Sequence, residues 1–85
     1  MNSARLLARL RQGHLENVAF GDLARLLADL GFDLRRITGS HHIYGHAAMS
    51  ELVNVQSLRG QTKAYQVRQV LHLIEHYNLT LEGDR

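Results

Sequence analysis

Apolar residues recur every three or four positions in three parts of the chain. This spacing is typical of amphipathic helices, in which one stripe of side chains faces the core. The three stretches predict helices over residues 3–12, 20–30 and 65–77. Gly13 and Gly31 follow the first two stretches, at positions where helices commonly end.

Between the second and third predicted helices, apolar and polar residues roughly alternate. Such alternation is typical of β-strands, whose successive side chains point to opposite faces. Three short strands are therefore predicted, over residues 32–37, 41–46 and 52–56. The tripeptide at 38–40 contains a glycine and is a turn signal between the first two strands.

The order helix, helix, three strands, helix indicates an α+β fold. Three short consecutive strands form an antiparallel sheet with one face to bury, and the two long helices back that face. The other face stays open to water. A chain of 85 residues makes one domain, residues 1–85, and its acidic end at 78–85 is predicted to be a flexible tail.

Composition excludes several classes of protein. The chain has no cysteine, which excludes a disulfide framework, a thiolate nucleophile and a cysteine-bound zinc. No apolar run approaches the ~20 residues of a transmembrane helix, so no membrane association is predicted. The first residues are interrupted by Arg5, Arg9 and Arg11 and are unlike a signal peptide, so we expect a cytoplasmic protein.

Positive charge is concentrated in the middle of the chain. Residues 34–74 carry a formal charge of +4, from Arg35, Arg36, Arg59, Lys63 and Arg68 against Glu51. A basic surface of this kind favours a polyanionic partner, most simply RNA or DNA. The alternative is a solvated basic face without a partner.

The candidate for chemistry is the segment Gly39-Ser40-His41-His42. Neighbouring strand residues point to opposite faces, so the two histidines cannot serve one site. If Tyr44 packs on the helices, His41 lies on the open side of the sheet. A histidine exchanges protons near neutral pH, and RNA brings its own nucleophile, the 2′-hydroxyl. A base and a cation are then sufficient for cleavage, although a strand histidine is more often packed or solvated.

Two histidine patterns suggest metal sites, and neither is convincing. His42 and His46 lie ~13 Å apart along a strand, which is too far to share one zinc ion. The segment His72-Leu73-Ile74-Glu75-His76 matches a metalloprotease pattern. The chain is too short for a protease cleft and supplies no third ligand motif, so a polar helix face is the simpler interpretation. We therefore predict no metal and no other cofactor.

The sequence resembles the HicA family of type II toxins. The resemblance rests on Leu30-Gly31-Phe32 and on Gly39-Ser40-His41-His42-Ile43-Tyr44, which in combination are far more specific than a His-His pair. It continues through residues 52–56 and 63–69 and covers about residues 18–78.

HicA proteins are small mRNA interferases that cleave RNA without a metal, and their fold is similar to the α-β-β-β-α double-stranded-RNA-binding domain. The resemblance therefore implies an endoribonuclease of a toxin–antitoxin system, with residues 3–12 as an extra N-terminal helix. It implies that His41 is catalytic and that Gly39 and Ser40 shape the turn. It also implies a HicB-like antitoxin as the partner that covers the active face.

The candidate substrate-binding residues share the turn or the basic block, and they are Gly39, Ser40, His42, Arg35, Arg36 and Lys63. Arginine clamps a phosphate with its planar fork, and lysine attracts it as a point charge. Ala47 and Ala64 stand where the family usually has proline, so both segments are expected to be more mobile.

Two other functions fit the same residues. A non-catalytic RNA-binding module would use the same basic face, and would retard RNA on a gel without cutting it. A pure protein-interaction module would use the polar helix face instead and would not retard RNA even at low salt.

Overall fold

Three helices and five strands form within residues 1–81, the part of the chain that the structure, a computed structural model, describes. They are α1 (Ser3–Arg11), β1 (Val18–Ala19), α2 (Phe20–Asp29), β2 (Asp33–Thr38), β3 (His41–Gly45), β4 (Val53–Gln56), β5 (Gln61–Thr62) and α3 (Ala64–His76). All three predicted helices and the three longer strands are confirmed to within about one or two residues. None of the described helices has the length and apolar character needed to cross a bilayer.

The main sheet has the strand order β2-β3-β4, and both strand pairs are antiparallel. The α+β class with a three-stranded antiparallel sheet is therefore confirmed. Strands β1 and β5 form a separate two-stranded sheet, in which Val18 pairs with Thr62. The sequence predicted only connecting segments there, because a strand of two residues is too short for alternation to be recognised.

The hydrophobic core lies between the helices and one face of the main sheet. The sheet contributes Tyr44, Val53 and Val55, and the helices contribute mainly leucines, of which Leu10 and Leu27 are completely buried. Helix α2 reaches the sheet through Phe20, whose ring lies 4.6 Å from the His42 ring, centroid to centroid.

Helix α1 is held against the other two helices by polar contacts as well as by its leucines. The Ser3 hydroxyl donates a 2.5 Å hydrogen bond to Asp29 on α2, and the Arg11 Nε atom lies 2.8 Å from a Glu75 carboxylate oxygen on α3. The hydrogen bond from Ser3, together with the nearby Arg25, lowers the pKa of the Asp29 carboxyl. The N-terminal helix is thus part of the core.

The segment after α3 differs from the prediction. Leu79 and Leu81 are only 8% and 6% exposed and belong to the core cluster. The Leu79 amide also donates a 2.9 Å hydrogen bond to the Ile74 carbonyl. The predicted flexible tail is therefore wrong for residues 79–81, because two leucines anchor them. The rest of that tail, residues 82–85, lies outside the described residues.

A tight turn before β5 holds Arg59 in a conformation that arginine rarely adopts. Leu58 and Gln61 exchange two backbone hydrogen bonds of 2.9 and 3.0 Å across this turn. The residues between them, Arg59 and Gly60, have φ angles of +54° and +78°. Positive φ at both central positions is the type I′ arrangement, which favours asparagine and glycine. Arg59 is therefore strained in its backbone.

We expect Arg59→Asn to raise the free energy of unfolding by about 0.5–1 kcal/mol, because asparagine tolerates positive φ. Urea denaturation of both proteins measures the change. Arg68→Asn is the matched control, since it removes the same charge from an exposed position in α3 and should give no gain. An equal gain in both variants would show that charge, and not backbone conformation, is responsible.

Candidate active site

One side of the main sheet faces away from the core, and we call it the open face. Register places on it Arg36 and Thr38 of β2, His41 and Ile43 of β3, and Asn54 and Gln56 of β4. His42 and Tyr44 alternate with these residues and point toward the helices. Because Tyr44 is buried in the core, the predicted placement of His41 on the open face is confirmed.

A β-bulge brings a second arginine to the open face. Leu34 pairs with Tyr44 and Arg36 with Ile43, so β2 has one more residue than β3 between these pairs. Arg35 is the extra residue, and a bulge turns its side chain to the same side as the next one. The Arg35 guanidinium lies over Gly45, where a β-carbon would overlap it, and its Nε atom is 2.5 Å from Asp33.

His41 lies at the start of β3, opposite Thr38 on one side and Gln56 on the other. Its imidazole is half-buried, and its Nδ1 atom is 3.1 Å from the Asn54 side-chain oxygen. Ile43, beside it on the open face, is only 9% exposed although it lies outside the core cluster. Around His41 the open face carries exposed polar side chains, among them Thr38 and Asn54.

The turn that precedes His41 is fixed by its backbone and by one side chain. Gly39 has a φ of +60° at the first central position of a two-residue turn, the conformation of a type II′ hairpin, which favours glycine. The Ser40 hydroxyl accepts a 3.0 Å hydrogen bond from the Gln56 side-chain amide. The Ser40 carbonyl accepts another, of 3.1 Å, from the Ser57 amide. These bonds tie the turn to the end of β4.

His42 does not join His41. It lies on the helix side of the sheet, packs on Phe20, and donates from Nδ1 to the Ser40 carbonyl at 3.2 Å. Its predicted substrate-binding role is therefore not supported by the geometry, because RNA on the open face meets the opposite side of this strand. The position of His42 favours a part in shaping the turn.

Lys63 also lies apart from the open-face residues. It is the N-cap residue of α3 and lines a shallow groove with Glu16, Asn17, Leu58, Gln61, Thr62 and Ala64. None of the open-face residues lines that groove. The structure thus places Arg35, Arg36 and His41 on one face of the sheet, with Gly39 and Ser40 in the turn next to His41 and Arg35 at the other end of β3. Lys63 lies instead at the groove beside β5.

His46, which follows the last residue of β3, has a structural role. His46 donates from Nε2 to the Leu30 carbonyl and accepts at Nδ1 from the Ala48 amide, both at 2.9 Å. Its ring also packs on Phe32, with 4.9 Å between centroids. His46 therefore joins the end of α2 to the end of β3, and both of its nitrogens are occupied. Nearby, burial raises the pKa of the Tyr44 hydroxyl.

The histidines of α3 are exposed and belong to a helix that is not part of the open face. The His72 and His76 rings stack on each other at 5.9 Å, and Glu75 contacts Arg11. Among residues 1–81, no three histidine, aspartate or glutamate side chains gather closely enough to hold a metal ion.

Sequence analysis missed two polar residues of this site, Asn54 and Gln56. A signal was present, because both are polar positions of the alternating segment Leu52-Val53-Asn54-Val55-Gln56 and so belong to the open face. What was missing was the register of β4 against β3, which places Asn54 opposite Ile43 and beside His41.

Comparisons with other proteins add nothing to this geometry, since no protein-family model, curated protein or solved structure matches the chain.

Proposed function

We propose that this protein is an endoribonuclease of the HicA type, an mRNA interferase that cleaves RNA with His41 as general acid and base and without a metal. The observation that carries the proposal is the placement of the His41 imidazole on the open face, which also carries Arg36 near His41 on the adjacent strand and Arg35 at the other end of β3. A face with an imidazole and two guanidinium groups supplies both a proton acceptor and partners for the phosphates of one RNA strand.

The reaction needs few groups, because RNA contains its own nucleophile. A neutral His41 takes the proton of a 2′-hydroxyl, and the 2′-oxygen attacks the adjacent phosphorus. The bond from phosphorus to the 5′-oxygen breaks, and the protonated His41 gives the proton it took from the 2′-hydroxyl to that leaving oxygen. The products carry a 2′,3′-cyclic phosphate and a 5′-hydroxyl. Arg36 stabilises the charge that develops on the phosphoryl oxygens, and Arg35, at the other end of β3, binds a phosphate further along the RNA.

The wider proposal follows the same resemblance. Apart from the two-residue strands β1 and β5, the order α2-β2-β3-β4-α3 fits the α-β-β-β-α arrangement of a double-stranded-RNA-binding domain, with α1 as an addition. We propose further that the protein is a cytoplasmic toxin and that a HicB-like antitoxin covers the open face. The strongly basic pI of about 9.5 is consistent with an RNA substrate.

The test is to incubate the wild-type protein with an RNA and with a 2′-O-methyl copy of the same sequence. We expect fragments with cyclic phosphate ends from the first, an intact second strand, and no effect of EDTA. A wild-type protein that leaves the RNA intact would contradict the proposal, as would cleavage that EDTA abolishes.

The second candidate is a non-catalytic RNA-binding module, in which the two arginines of the open face would bind RNA phosphates and no bond would be cleaved. It predicts that both strands are retarded on a gel with equal affinity and that neither is cut. Its affinity would fall steeply with salt concentration.

Gly45→Ala should weaken binding to the 2′-O-methyl strand by about five-fold, which corresponds to roughly 1 kcal/mol. The added β-carbon would overlap the Arg35 guanidinium, and this flexible side chain would have to leave its place over Gly45. Titration at several salt concentrations measures the affinity, and the salt slope should decrease by up to about 1.

Gly21→Ala is the matched control, because nothing lies within 4 Å of the β-carbon it would add. It should leave the affinity unchanged, and it should stabilise α2 slightly, since alanine is the better helix former. Unchanged binding in Gly45→Ala would exclude Arg35 from the phosphate contacts.

A further inference from the structure

We infer that Asn54 is a positioning residue for His41, and that it fixes the imidazole so that Nε2 is the nitrogen that exchanges protons with RNA. The catalytic part of this inference rests on the proposed function. The structural part, which nitrogen of His41 carries the proton, can be measured on the free protein.

The contact between the two side chains determines the tautomer. The His41 Nδ1 atom lies 3.1 Å from Oδ1 of Asn54, the oxygen of a side-chain amide. An amide oxygen can only accept a hydrogen bond, so Nδ1 must carry the hydrogen. The other nitrogen, Nε2, then keeps its lone pair and is the one that can accept a proton from a 2′-hydroxyl.

Asn54 is well placed to hold the ring still. It lies on β4 between Val53 and Val55, which are 3% and 0% exposed, so the packing of its neighbours fixes its backbone. Two residues further along the same strand, the Gln56 amide bonds to Ser40 in the turn before His41. Strand β4 therefore holds both the ring of His41 and the turn that presents it.

The choice of an amide matters for the charge of the site. A carboxylate at this position would also accept from Nδ1, but it would place a negative charge next to His41, where it would repel the phosphate of the substrate. Asparagine orients the imidazole without that charge. In His46, by contrast, a carbonyl and an amide occupy both nitrogens, which leaves none for chemistry.

The primary experiment is an NMR measurement of histidine nitrogen shifts in the free wild-type protein and in Asn54→Ala and Asn54→Asp. We expect the Nδ1–H tautomer of His41 in the wild type and in Asn54→Asp, which keeps an acceptor oxygen. In Asn54→Ala we expect the Nε2–H form to become prominent. A wild-type His41 in the Nε2–H form, or a tautomer unchanged in Asn54→Ala, would overturn the inference.

Cleavage kinetics provide the second readout. Asn54→Ala should lower kcat by about 10- to 100-fold with little change in KM, because a misplaced base slows the chemical step. Asn54→Asp should recover much of kcat and move the acidic limb of the pH–rate profile upward by about one unit. A residue that mattered only for folding would instead lower the amount of active enzyme, without moving the pH profile.

Gln69→Ala is the matched control, because it removes an exposed amide from α3 and should change neither the tautomer nor kcat. Urea denaturation of each variant shows whether it is folded under the assay conditions. If Asn54→Ala is unfolded, Asn54→Leu replaces it, because leucine fills the same space without an acceptor oxygen and should likewise show the Nε2–H form. The spectrum thus decides the position of the proton, and cleavage by the wild type decides the proposed function, so the two fail separately.

Discussion

His41→Ala should reduce RNA cleavage by about 10²- to 10⁴-fold, the loss expected when a general acid–base group is removed. The same substitution should change the free energy of unfolding by less than about 1 kcal/mol, because the half-buried imidazole makes one side-chain hydrogen bond, to Asn54. Initial rates on a labelled RNA, with urea denaturation of the same preparation, measure both quantities.

His72→Ala is the matched control for that experiment. It removes an exposed histidine from α3, on an element that does not contribute to the open face. We expect its cleavage rate to equal that of the wild type. Equal rates in His41→Ala and the wild type would remove His41 from the reaction. If His41→Ala cleaved RNA fully and His72→Ala did not, the reaction would take place on the helix side of the molecule.

Leu27→Ala should lower the free energy of unfolding by about 2–5 kcal/mol. Leu27 is completely buried in α2, and its removal leaves a cavity that neighbouring side chains fill only in part. A chain of this length has a total stability of about 4–13 kcal/mol, so the loss is a large fraction of the whole. The urea midpoint should fall by on the order of 2 M.

Leu52→Ala tests whether burial causes that effect. It makes the same chemical change at a leucine that is 54% exposed, just before β4. Its free energy of unfolding should stay within about 0.5 kcal/mol of the wild type. Similar losses in the two variants would contradict the placement of the core between the helices and the sheet.

The sequence predicts the longer helices and strands because their apolar side chains recur with a regular period over several positions. Helix α2 and strand β4 both carry enough apolar positions for their period to be recognised. Strands β1 and β5 cannot be found this way, since a pairing such as Val18 with Thr62 joins residues far apart in the chain. The burial of Leu79 and Leu81 likewise depends on contacts with residues from distant parts of the chain.

The sequence predicts which sheet face a site residue occupies wherever side chains alternate regularly along the strand. The face of His41 follows from the burial of Tyr44, three residues away, because side chains alternate along a strand. The face of Arg35 does not follow, because a bulge breaks the alternation. The partner of His41 depends on how two strands are aligned, and the sequence of either strand alone does not contain that information.

The bulge at Arg35 makes β2 one residue longer than its pairing with β3 requires. Every other residue of β2 has a cross-strand partner in β3, from Asp33 with Gly45 to Thr38 with His41. A shortened chain lacking Arg35 would keep each of these partners in an ordinary ladder and would lose only one guanidinium. One inserted residue in β2 therefore adds a second guanidinium to the open face, where it pairs with Asp33, while the other cross-strand pairs of the hairpin stay as they are.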